Sequence, residues 1–438
     1  MGIQVSRRDF LAFVSTLAAS GLLSGCSAAG SGSSPLLTAT DLTASYRPAG
    51  TDSKQSAASA EALYDVDNSS MAYSFTAQLL QNSLSEQSAP ANTLVSPLSL
   101  LFALGVLARG ASGQTLEQIE TALGLNTHSL TALLQEFLSA QDGDESAKLS
   151  IANSIWMRKN KDVQFKESFL KTCAQDLDAS ILSAPFDDST VTDINTWTAS
   201  KTDGLIDHLV DSVQGELYLV NALAFDHAWE EPYAADKVST GAFTREDGSK
   251  QDASFMKSRE QVYLYTEDFS GFIKPYENYS FSFVGLLPRE GLSCADAVWA
   301  LGRFGLKATL ESAMNNTVCD VYLPKFSCDY ETDPIGALEA LGIKDAFDPA
   351  AADFSNMVED GQSNGLYVSD AVHKAHIEID ENGTKAAAAT SFGLVTSATG
   401  GDVGEPKVET LVFNRPFIYL ITRLGIPIFI GVVAEPTG

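Results

Sequence analysis

The chain has 438 residues, 45% hydrophobic and 19% charged, with 28 basic against 56 acidic side chains and a net charge of −28. This is globular composition with ample apolar content for a large core. A surface so acidic repels phosphate backbones, which argues against nucleic acid and heparin-like polyanions as partners.

Residues 1–26 read as a targeting segment. Arg7 and Arg8 precede an apolar run of signal-peptide length, too short and too rich in Ser and Ala for a membrane span. Ser6-Arg7-Arg8-Asp9-Phe10-Leu11 resembles a twin-arginine export motif. Leu23-Ser24-Gly25-Cys26 resembles a bacterial lipobox, which implies acylation of Cys26 and a protein held at the cell surface, outside the cytoplasm. Residues 27–66 are dominated by Ser, Ala, Thr and Gly and read as a flexible tether. About forty such residues would reach roughly 35 Å, from about 5–6 Å times √n.

From residue 67 to 438 nothing splits the chain, and one mixed α+β domain is expected. Met71, Phe75, Leu79 and Leu80 stand at helical spacing. Pro97 suits the first position of a helix whose residues 98–107 are apolar nearly all round, hence deeply buried. Thr115 and Gln118 have capping-box spacing, ahead of a stop at Gly124. Helices are also expected at 163–178, 187–201, 296–313 and 333–342, and "KLSIANSIWMRK" alternates as a strand. "ELYLVNALAFDHAW" reads as a central strand, and "VYLYT", "FSFVGLLP" and "VCDVYLPKF" as further strands. The chain ends in strands over 366–380, 408–424 and 426–436. Cys173, Cys294, Cys319 and Cys328 show neither metal-ligand nor redox spacing. Cys319 and Cys328 bound a strand-like run, so they would lie roughly 30 Å apart at about 3.3 Å per residue, too far for a disulfide.

Enzyme motifs are scarce. There is no G-x-S-x-G elbow, no H-E-x-x-H and no Walker A. Ser254-Phe255-Met256-Lys257 is an S-x-x-K, the activated-serine motif of penicillin-binding acyl hydrolases, but its surroundings read as a strand and neither K-T-G nor S-D-N accompanies it.

Several segments, in order, resemble the serpin family. They are "NTLVSPLSLLFAL" with Ser96, Pro97 and Ser99; "LVNALAFDHAWEEPY" with Asn221, Phe225 and Trp229; "VSDAVHKAHIEIDENGTKAAAAT" with His373, Glu381, Gly383 and Thr384; and the closing "FNRPFIYLI" and "IPIFIGVVAEP". The resemblance implies a serpin fold of three β-sheets with eight or nine helices and an exposed reactive-centre loop. It implies a suicide inhibitor of serine proteases rather than an enzyme, a monomer with no cofactor or metal. Two departures are local: Lys385 stands where the family usually has Glu, and Asp226-His227 where it commonly has Lys-Gly.

The same resemblance assigns roles. Glu381, Gly383, Thr384, Lys385, Ala386, Ala387, Ala388 and Ala389 form the loop's hinge. Ser96, Ser99, Asn221 and His373 form a shutter beneath the strands that part, and Trp229 marks the breach where insertion starts. Counting from Gly383 puts the scissile bond at Ser397–Ala398, with Thr396–Ser397 and Ala398–Thr399 as alternatives, and Leu394, Val395 and Thr396 in the protease subsites. The long loop before "FNRPF", with Gly400, Gly401 and Gly404, leaves that position open by a residue. Small uncharged residues there fit elastase-like or subtilisin-like pockets; papain-like cysteine proteases also form acyl-enzymes. The loop's residues suit insertion on their own terms. Thr384, Ala386, Ala388, Thr390, Phe392, Leu394 and Thr396 share one uncharged face, Lys385 falls on the other, and no proline interrupts 383–401. The alternative function on this fold is a non-inhibitory binding or carrier protein.

Overall fold

The computed structural model describes residues 37–47, 66–85, 91–139, 148–159, 163–363, 365–384, 405–423 and 425–437. Its framework is three sheets. The largest runs, edge to edge, Thr40–Asp41, Ser180–Ala184, Lys148–Arg158, Leu217–Ala228, Gly383–Thr384, Val368–Ile379 and Phe326–Thr332. A six-stranded sheet is built on Phe269–Pro275, Phe281–Pro288, Phe417–Arg423 and Ile426–Val433. A four-stranded sheet orders Lys407–Val412, Thr317–Pro324, Lys250–Glu260 and Val238–Thr244. Nine α-helices lie among the described residues.

The helix Pro97–Gly110 sits between the two larger sheets, packed on Lys148–Arg158, Leu217–Ala228 and Ile426–Val433. Pro97 fixes its first turn, and the Ser96 side chain caps it by accepting from the Ser99 N–H. Every residue of it but Arg109 is buried, as its all-round apolar sequence requires. The opposite face of the large sheet carries a second apolar cluster under the helix Asp188–Lys201, where Trp156 and Trp197 meet edge to face at 6.3 Å.

Local expectations fail where one residue changes the geometry. The helix expected over 296–313 breaks at Gly305, whose φ of 90° no helical residue adopts, into Cys294–Phe304 and Leu306–Leu310. The single strand expected over 318–326 divides at Lys325, so that Thr317–Pro324 joins the four-stranded sheet and Phe326–Thr332 the large one. Thr115 is no cap: the helix already starts at Gly113 after Ser112, and the Thr115 hydroxyl accepts from the Asp353 N–H instead. The helix after the tether begins at Val66, a residue before the expected boundary.

The tether itself needs correcting. Within 27–66, residues 37–47 are folded onto the edge of the large sheet. Thr40 and Asp41 pair with Ser183 and Leu182. The buried carboxylate of Asp193 accepts from the Thr38 hydroxyl at 2.6 Å and from the Ala39 N–H at 2.7 Å. Arg47 donates to Asp41 at 2.8 Å and to the Ser180 hydroxyl at 2.6 Å, and Thr43 is fully buried. We refer to this segment as the clasp.

Candidate functional site

The site is the seam between Leu217–Ala228 and Val368–Ile379. These strands pair in parallel from Val368↔Leu217 to His376↔Ala224. Above that point they separate, and Gly383–Thr384 lies between them, with Gly383 opposite Ala228, and Thr384 opposite both His227 and Ile379. A Cβ on Gly383 would lie 2.2 Å from the His227 carbonyl oxygen, so only glycine fits the approach.

Trp229 organises this upper end. Its indole N–H donates to the Asp380 carbonyl at 2.9 Å, and its backbone N–H to the Asn382 carbonyl at 2.9 Å. The ring stacks on Tyr276 at 4.4 Å. The Tyr276 hydroxyl meets the Thr384 hydroxyl at 2.5 Å, and Thr384 is fully buried. Beneath lies a buried ion pair, Lys274 with Glu260 at 3.1 Å, the ammonium also over the rings of Trp229 and Tyr233. Glu381 pairs with Lys325, whose hydrogen bond holds the Glu381 carboxyl below its ordinary range.

Lower down, buried polar side chains cross the seam. His373 stands directly opposite Asn221. The backbone N–H of Ser96 donates to His373 Nε2 at 3.1 Å, so Nδ1 carries the proton and donates to Asn221 Oδ1 at 2.7 Å. That oxygen also accepts from the Ser99 hydroxyl at 2.6 Å. The Asn221 amide donates to the Ser99 carbonyl and to Asn153 Oδ1, and the Ser96 hydroxyl donates to the Ile428 carbonyl. Burial without a charged partner pushes His373 down to about 4. The four residues expected as a shutter therefore share one network. Asn153 was not anticipated, although a polar side chain between Ile151 and Ile155 on one strand face was the available signal.

Glu381, Gly383 and Thr384, expected in the hinge, lie at the upper end of the seam, where Trp229 bonds to the Asp380 and Asn382 carbonyls. Lys385, Ala386, Ala387, Ala388, Ala389, the subsites Leu394, Val395 and Thr396, the bond Ser397–Ala398 and the lipidation candidate Cys26 lie outside the described residues. Ser254 and Lys257 occupy one strand three residues apart, hence on opposite faces, which removes the contact an S-x-x-K needs. Cys173, Cys294, Cys319 and Cys328 are free and buried, and burial raises all four thiols. No group of three or more metal-ligating side chains occurs among the described residues.

Two long central strands thus pair from Val368↔Leu217 to His376↔Ala224 and stand apart above that level, around Gly383–Thr384. The profile described as Serpin (serine protease inhibitor) matches residues 70–436, and the chain belongs to the serpin family. A serine protease inhibitor of Cyanea capillata is 31% identical over 398 residues, covering 86% of this chain and 99% of that one. The thermophilic serpin Tengpin in its native state is 35% identical with a TM-score of 0.78, covering 91% of this chain and 99% of that one. Human thyroxine-binding globulin, complexed with thyroxine, shares the fold at 25% identity and a TM-score of 0.72, covering 85% of this chain and 99% of that one.

Proposed function

We propose that this serpin is a suicide inhibitor of elastase-like or subtilisin-like serine proteases, with papain-like cysteine proteases as further targets. The protease serine attacks the Ser397 carbonyl, the Ser397–Ala398 bond breaks, and the Ala398 amine leaves with a proton. The loop, held to the protease by the new ester, then enters the large sheet before water reaches the ester.

The observation that carries this reading is the seated pair Gly383–Thr384 above a closed seam. An inserted loop that kept this register would set Ala386, Ala388 and Thr390 against Phe225, Leu223 and Asn221, the first two of them core residues. Thr390 would bring a hydroxyl to the level where Asn221 and His373 part. Lys385 would come opposite Asp226, an opposite-charge cross-strand pair. The two departures from the family pattern thus compensate each other. In this reading Ser96, Ser99, Asn153, Asn221 and His373 act as the shutter, and Trp229 as the breach.

The signal, lipobox and tether residues support an exported bacterial lipoprotein, anchored through Cys26; a Cys26→Ala change should move it from the membrane to the soluble fraction. The inhibitory reading is tested with the chain from Leu37 onwards, mixed with pancreatic elastase or subtilisin and run on a denaturing gel. A boil-stable band at the summed mass is expected. Cleaved protein beside active protease would favour a non-inhibitory carrier. Ser397→Arg should confer trypsin inhibition, and trypsin's indifference would move the assigned bond.

A further inference from the structure

His227 is an unusual side chain to find at the point where a strand must enter. It is 1% exposed, directly opposite Thr384. Its Nε2 donates to the Glu277 carbonyl at 2.9 Å, and its Nδ1 has, among the described residues, no hydrogen-bond partner. A buried nitrogen with no partner is unfavourable, so hydrogen bonding alone does not account for the residue. Its ring contacts do. The imidazole lies parallel to Tyr276 at 5.6 Å, with an interplanar angle of 14°. Tyr276 lies in turn on Trp229, and Phe225 and Phe281 meet the imidazole edge-on at 6.0 and 5.7 Å. Tyr276 therefore has near-parallel rings on it from His227 and from Trp229, the residue just past that strand's end, with its hydroxyl on Thr384.

We infer that His227 is a positioning residue for loop insertion. It clamps Tyr276 against Trp229 so that the phenol hydroxyl holds Thr384 between the parted strands. The inference rests on the inhibitory reading. A seated hinge can continue inserting as soon as the loop is cut, whereas an unseated one must first find the gap. The competent fraction therefore scales the insertion rate. Since insertion competes with hydrolysis of the ester, His227 governs how many inhibitor molecules are consumed per protease trapped. It leaves the initial encounter untouched, because that occurs on the loop before insertion starts.

The test compares His227→Gly, His227→Phe and Tyr276→Phe in the full chain from Leu37. Two quantities are read: the stoichiometry and association rate with elastase, and amide hydrogen exchange of a peptide covering 380–384 without protease. His227→Gly and Tyr276→Phe should raise the stoichiometry by up to about fivefold, the effect of one lost hydrogen bond, with the association rate unchanged. Both should also speed exchange at Gly383 and Thr384. His227→Phe keeps a ring beside Tyr276 and should stay near wild type in both. The inference is overturned by His227→Gly matching wild type in exchange, or by His227→Phe behaving as His227→Gly. Should the wild-type chain trap no protease, the inhibitory reading fails by itself, and the exchange comparison still decides the role of His227.

Discussion

At the scale of single residues, two buried polar groups make opposite demands. Thr384 sits fully buried on the Tyr276 hydroxyl, in a space shaped for a short side chain. An arginine there would bring an unpaired charge into the gap. Thr384→Arg should be cleaved by elastase at the wild-type rate yet leave it active; undiminished trapping would count against insertion. His373 is buried neutral, with Nε2 committed to the Ser96 N–H. Burial lowers it from 6.5 to about 4, so between these values the unfolded chain binds the extra proton. The stability it carries is complete above about 6.5 and lost as the pH falls to about 4. The span corresponds to about 3 kcal/mol. Native wild-type protein should lose more stability between pH 7 and pH 5 in denaturant melts than His373→Gln does, and parallel curves would refute the assignment.

At the scale of elements, the clasp ties three pieces together: the edge strand Ser180–Ala184, the helix Asp188–Lys201 through Asp193, and the helix Glu167–Asp176 through a Gln175 bond to the Tyr46 carbonyl. A chain starting at Met71 would leave the Asp193 carboxylate without the three donors of Thr38 and Ala39, and the sheet edge uncovered. Charged hydrogen bonds of this kind contribute about 1.5–3 kcal/mol each, so that chain should melt several degrees below one starting at Leu37. Equal melting would mean the clasp is idle. This is also where the sequence reads least well. A two-residue strand has no period, its partner lies some 140 positions away, and the surrounding Ser and Ala mask Leu42 and Tyr46. The long central strand and the buried helix were legible because their patterns run for ten residues or more, and the contact among Ser96, Ser99, Asn221 and His373 because resemblance joined residues that no local pattern joins. Lys325 and Gly305 were missed because each redirects the chain within an otherwise continuous run of strand or helix residues.

At the scale of the whole molecule, a charge of −28 acts on the encounter. A cationic protease is drawn in by the summed field, and salt weakens that field beyond about 10 Å at 0.1 M. Association with a basic elastase should slow by about tenfold between low salt and 0.5 M, with unchanged stoichiometry. A flat salt response would assign recognition to the loop alone.

In the proposed mechanism, the clasp also marks the end of the sheet to which a captured protease would travel. Through Ser183, Met157 and Leu217, Thr40 lies level with the end of the large sheet remote from Gly383. From Ala228 to Leu217 is about 36 Å along the strand at about 3.3 Å per residue. In an inserted loop, the register of Gly383 and Thr384 carried on to Ser397 would bring that residue level with Gln214, just past Leu217. A loop inserted on that register would carry its bound protease the length of the large sheet, to the end where Thr40 and the clasp lie.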